Sequence, residues 1–113
     1  MCLLSCYNYF GDNVKQNKRI RELESYYDEC FETINKLSNA IGLYEKSYKK
    51  LVSLCKYYGS EDYFKDVDDS NKGLLADLKC GILSEDAIYD LLVNNHNLAI
   101  RMLKLGTKIE EDF

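Results

Sequence analysis

The chain contains no proline and no tryptophan, and only one histidine among its 113 residues. Without proline the commonest helix breaker is missing, so long uninterrupted helices are open to it. The lone histidine, His96, rules out a His-rich metal site. The chain also lacks a Glu-x-x-His pair of the di-metal bundle type, a phosphate-binding glycine loop and a nucleophile elbow. These absences remove the usual parts of an active site, and the expectation is a non-catalytic protein with no cofactor and no metal.

Long hydrophobic runs are missing too. Nothing approaches the roughly 18 consecutive apolar residues of a membrane span, so no membrane partner is expected. The formal net charge of −4 is too small to suggest a mimic of nucleic acid. The cysteines Cys2, Cys6, Cys30, Cys55 and Cys80 are odd in number and form no C-x-x-C pair, which argues against a disulfide framework and a zinc ribbon. They read as buried reduced thiols of a cytoplasmic protein.

What the chain has in abundance is helical periodicity. Ile20, Leu23, Tyr27, Cys30, Ile34, Leu37, Ile41, Tyr44, Tyr48, Leu51, Cys55 and Tyr58 step by threes and fours, the pattern of a helix with one apolar seam. With Ile20 as an a position, the e and g positions include Phe31, Val52, Tyr26, Ala40 and Leu54 in place of the Glu and Lys of a thin two-stranded zipper. So wide a stripe suits a helix touched by two or three neighbours. Ser38, Asn39 and Gly42 are poor helix formers. A turn there would divide the stretch, but the heptad phase passes through unchanged and favours one continuous helix.

The predicted class is therefore all-α: a helical bundle built on a long coiled-coil-like central helix, with a C-terminal helical hairpin folded against the seam. In order, the pattern predicts a docking segment over 1–11, the long helix over 12–58 with its weak point at 38–42, an acidic connector over 59–70 with room for one helical turn at 60–65, a hairpin over 71–105 and a tail over 106–113. Residues 1–10 carry no charged side chain and lack the basic start of an export signal. Acylation at Cys2 or Cys6 lacks its usual context, and the plain reading docks Leu3, Leu4, Tyr7 and Phe10 on the bundle. Asp12 is the expected N-cap of the long helix and Gly59 its C-cap. In the hairpin, Cys80-Gly81 should close a helix over 71–79, and Ser84 should cap a last helix ending at Gly106. Asp66, Asp68 and Ser70 alternate as calcium ligands might, but the glycine and the terminal glutamate of an EF-hand are not in place.

Three sets of residues are candidates for function. The seam itself, at Ile20, Leu23, Tyr27, Ile34, Leu37, Ile41, Tyr44, Tyr48 and Leu51, should be completed by a homodimer, with Asn95 on the last helix able to set register if buried. Ten tyrosines are more than one face can bury. Tyr57, Tyr58 and Tyr63, together with Glu61, Asp62 and Asp66, therefore read as a surface for a protein partner, since Tyr offers contact area at little entropic cost. Lys15, Lys18, Arg19 and Arg21 form the one concentrated basic patch, and the alternative function is a dimeric nucleic-acid-binding regulator that uses it. Acidic Glu85 and Asp86 at the start of the last helix count against a helix-turn-helix reader.

The functional expectation is thus a small protein-protein interaction protein. A narrower version is a phage or mobile-element inhibitor of a host defence or regulatory protein. It draws only on small size and a Tyr, Asn, Lys, Ile and Asp bias typical of AT-rich coding sequences.

Overall fold

The computed structural model describes residues 3–113, with side chains described from Gly11 onward. Every regular element among them is helical: α1 (Leu3–Tyr57), α2 (Glu61–Asn71), a 3-10 turn (Gly81–Leu83) and α3 (Ala87–Asp112). The all-α class, the long first helix and the C-terminal helical hairpin are as the periodicity predicts. The docking contacts expected of Leu3, Leu4, Tyr7 and Phe10 lie outside the described side chains, as do the fates of Cys2 and Cys6.

α1 passes through Ser38, Asn39 and Gly42 without a break, and Gly42 keeps an ordinary helical φ. A helical glycine costs only about 1 kcal/mol relative to alanine, too little to interrupt a helix supported on both sides. The same reasoning corrects the expected start at Asp12, because α1 continues N-terminally through Gly11. Local pairs assist: Glu32 and Lys36 meet at 2.8 Å one turn apart, and the rings of Tyr27 and Phe31 stack at 5.9 Å. α1 ends where expected, with Gly59 in the left-handed region at φ 81°.

The acidic stretch after Gly59 is a helix: the single turn expected at 60–65 continues to Asn71, which corrects the rest of the connector reading. Ser60 is its N-cap, accepting a hydrogen bond from the Tyr63 amide at 3.1 Å, and Glu61 and Asp62 occupy the first turn, where negative charge is favourable. The helix stops at a glycine-based cap. Gly73 sits at φ 76°, its amide donates to the Ser70 carbonyl, and the Leu74 amide donates to the Asp69 carbonyl, both at 3.0 Å. The helix expected over 71–79 is therefore a series of turns. Substituting Gly73→Ala should cost about 1–2 kcal/mol, since a Cβ is disfavoured in the left-handed region; urea unfolding followed by circular dichroism measures it.

Two further boundaries differ from expectation. Ser84 closes the 3-10 turn, and Asp86 stands at the start of α3 without a side-chain cap bond. α3 runs past Gly106 to Asp112, because that glycine holds a helical φ and so supplies no left-handed stop. In helical form, Asp66 and Asp68 are about 200° apart around α2, so the calcium alternation points to different faces. Among the described residues no cluster of His, Cys, Asp or Glu is arranged to hold a metal ion.

The chain divides into two units, one ending at Lys46 and one running Ser47–Phe113. In the first, α1 stands as a helix with its apolar stripe in water: Ile20, Leu23, Tyr27, Ile34, Leu37 and Ile41 are all exposed, at 44–65%. The second holds the only buried apolar side chains among the described residues, Tyr63 at 8% and Ile88 at 2% exposure. There the 3-10 turn packs against both α2 and α3.

Candidate interaction surfaces

The aromatic cluster predicted near the end of α1 is assembled around Tyr63. Its ring meets Tyr57 edge-on at 5.5 Å, Tyr58 at 5.3 Å and Phe64 edge-on at 5.5 Å. The arrangement follows from two caps. Gly59 reverses the chain after α1, and Ser60 then starts α2 so that Tyr63, at its first turn, faces back onto Tyr57 and Tyr58.

Burial divides these residues into different roles. Tyr63 is core and presents no ring to a partner, which corrects its place in the predicted surface. Tyr57 and Tyr58 are half-buried, whereas Glu61 and Asp62 are exposed. Phe64, which periodicity did not single out, is 63% exposed beside the core tyrosine. Its position next to Tyr63 on a helix with only a few apolar residues was the available signal.

The Tyr57 hydroxyl donates to Asp66 Oδ2 at 2.6 Å. Removal from water, the hydrogen bond to the Asp66 carboxylate, and the negative charges of Asp66 and Asp62 hold its proton, raising its pKa to about 12. The unfolded phenol gives up its proton near pH 10. Stability from this bond is therefore complete below about pH 10 and is lost as the pH rises toward about 12. Tyr57→Phe should lower stability by about 1 kcal/mol at neutral pH. It should also flatten the alkaline fall in the urea midpoint; an unchanged alkaline profile would place the titration elsewhere.

Below this pair lies a cleft of about 230 Å³ lined by Tyr57, Asp66, Leu75, Leu78, Lys79, Cys80, Ile82 and Leu83. It is smaller than the roughly 300–1,000 Å³ of small-molecule sites. Along α3, Ala99, Met102, Leu103 and Gly106 form an open apolar surface and no enclosed cavity. Asn95 is half-buried and takes part in an interaction, and His96 is exposed.

The basic patch is exposed on α1. Lys15, Lys18 and Arg19 share one face by their spacing, Arg21 lies beside them, and Lys18 stands 3.9 Å from Glu22. Since α1 begins at Leu3, the patch is several turns from the helix start, not in the first turn or two.

The seam shows two environments. Tyr44 and Leu51 are half-buried, Tyr48 is 52% exposed, and the seam residues from Ile20 to Ile41 are exposed. Cys30 and Cys55 are exposed free thiols, and Cys80 is half-buried with Sγ 3.7 Å from the Leu75 carbonyl. The first two lie on the seam, so they stay accessible because the seam does; this corrects the expectation of buried thiols.

Residues 20–105 match a family described as a domain of unknown function, DUF4298. The chain belongs to the DUF4298 family. No curated protein and no solved structure matches it. In this DUF4298 chain the matched span opens on the first seam residue, Ile20, and includes the aromatic cluster and most of α3. Lys15, Lys18 and Arg19 precede it, and Arg21 lies within it. No helix among the described residues is long and apolar enough to cross a membrane.

Proposed function

We propose that this DUF4298 protein is a non-catalytic, cytoplasmic protein-protein interaction protein whose working surface is the apolar stripe of α1, completed by association with another protein chain. The observation that carries the reading is the exposure of Ile20, Leu23, Tyr27, Phe31, Ile34, Leu37 and Ile41 on one helix. Isolated surface apolar residues are ordinary, whereas a contiguous stripe marks an association site. An isolated helix also draws little stability from its own hydrogen bonds and depends on packing of its apolar face.

Tyr58, Phe64 and the acidic side chains Glu61 and Asp62 extend the reading to a second contact area at the end of α1. Tyr57 and Asp66 support that area by fixing α2 against it. An inhibitor of a host defence or regulatory protein is a narrower form of the proposal. It draws on composition alone.

The test is affinity capture from lysate with and without nuclease, comparing the wild-type chain with a variant carrying Ile34→Asp and Leu37→Asp. Protein retained by the wild type, unaffected by nuclease and lost in the variant is the expected result. Nucleic acid retained instead, and lost on charge reversal at Lys15, Lys18, Arg19 and Arg21, would replace the proposal with the nucleic-acid regulator.

A further inference from the structure

The net negative charge of the chain is concentrated in one segment. Residues 59–86 hold eight acidic side chains against three basic ones, whereas the rest of the chain holds eleven against twelve. On α2, Asp62, Asp66 and Asp69 fall within about 60° of one another around the helix and so form one row. Asp66 lines the cleft of about 230 Å³ beneath Tyr57, which sets that row along the edge of the cleft. Of the three lysines in the segment, Lys72 meets Asp68 at 2.7 Å, and Lys79 is the one basic residue among the described residues lining the cleft. Three acidic groups in the row outweigh it.

The other walls of the cleft are aliphatic. Leu75 and Leu83 are half-buried, while Leu78 and Ile82 keep 65% and 46% of their surface exposed. A hollow of this size is too small for an ordinary small-molecule site but matches one large apolar side chain. A pocket that takes an anchor residue, beside charge of one sign, is a recurring design of protein interfaces: the anchor supplies affinity and the charge steers and orients the partner.

We infer that this cleft seats one Leu- or Phe-sized side chain of a basic partner segment, whose flanking Lys or Arg residues meet Asp62, Asp66 and Asp69. The inference names the partner's chemistry, and it rests on the proposal that the end of α1 is a protein-binding area. An acidic segment would be repelled by the row, and a cationic segment without an apolar residue would leave the cleft unfilled. The Tyr57–Asp66 hydrogen bond at 2.6 Å fixes α2 to the end of α1 and so keeps the acidic row and the hollow side by side.

Cys80 reads the cleft directly, because it lines the cleft and is half-buried, whereas Cys30 and Cys55 are exposed on the seam. The experiment follows alkylation of these three thiols by mass spectrometry in the full chain carrying Ile34→Asp and Leu37→Asp, which takes the stripe out of the measurement. The probes are short lysine-rich peptides with one central Leu or Phe. At about ten times their Kd they should slow Cys80 alkylation on the order of 10-fold and leave Cys30 and Cys55 unchanged. Adding Asp62→Asn and Asp69→Asn should weaken the same peptides on the order of 10-fold at low salt, and far less at high salt. Leu78→Ser, at an exposed wall of the cleft, should weaken them as well, with helical circular dichroism and the urea midpoint showing that each variant stays folded. Equal protection by glutamate-rich peptides, or by lysine-rich peptides with a central alanine, would overturn the inference. Protection of Cys80 that grows with the protein's own concentration and needs no peptide would put a second copy in the cleft in place of the basic partner. If no peptide protects Cys80 while the lysate test still captures protein through Ile34 and Leu37, the cleft assignment fails and the stripe stands.

Discussion

A chain carrying aspartate at both Ile34 and Leu37 is expected to lose association through α1 by on the order of 100-fold or more while keeping its helical circular dichroism. Full burial of an Ile or Leu side chain contributes about 1.5–3 kcal/mol, and two such losses amount to at least two decades in affinity. Both side chains are exposed, at 65% and 52%, and neither belongs to the buried core at Tyr63 and Ile88, so their replacement should leave that core intact. Sedimentation velocity over a concentration series gives the affinity. Association unchanged by the double substitution would mean that the stripe is not the surface used.

Tyr63→Ala is expected to do the opposite: unfold the second unit and leave no question of binding. Replacing a buried aromatic residue by alanine costs about 3–5 kcal/mol, a large share of the roughly 5–15 kcal/mol that holds a small domain folded. Tyr63 is one of two buried apolar side chains among the described residues, and three aromatic rings rest against it. Loss of cooperative urea unfolding is the expected readout. Phe64→Ala, one residue along and largely exposed, should change stability by less than about 1 kcal/mol. If Tyr63→Ala instead left a stable fold that could no longer bind a partner, the tyrosine would belong to an interface and the core assignment would fail.

The contrast between these two tyrosine-rich regions shows what could be read from the residues alone. The seam from Ile20 to Tyr58 was legible because a period of three and four depends only on helical geometry, and Gly59 was legible as a stop because the helical pattern ends there. α2 is legible only as one turn near Ser60, because its acidic content resembles a solvated loop. The local signals for it were present nonetheless: Ser60 ahead of Glu61 and Asp62 for a start, and Gly73 just past Asn71 for a stop. Gly11, Gly42 and Gly106 carry the same residue type without stopping a helix, so glycine alone did not separate a cap from an interior position. The burial of Tyr63 was not legible at all. It depends on the reversal at Gly59 bringing the first turn of α2 back onto Tyr57 and Tyr58, which no sequence period encodes. Cys30 and Cys55 were misjudged for a related reason: lying on an apolar face means burial only when something covers the face.

Cys30 offers the most direct test of the central claim, that the α1 stripe is covered by protein when the chain is at work. The measurement is its alkylation rate relative to the unfolded chain, taken across a concentration series of the purified protein and again in nuclease-treated extract of the producing cells. The account predicts protection that grows with concentration, or appears in extract, and that disappears when Ile34 and Leu37 are replaced by aspartate. Alkylation at the unfolded rate under every condition would contradict it.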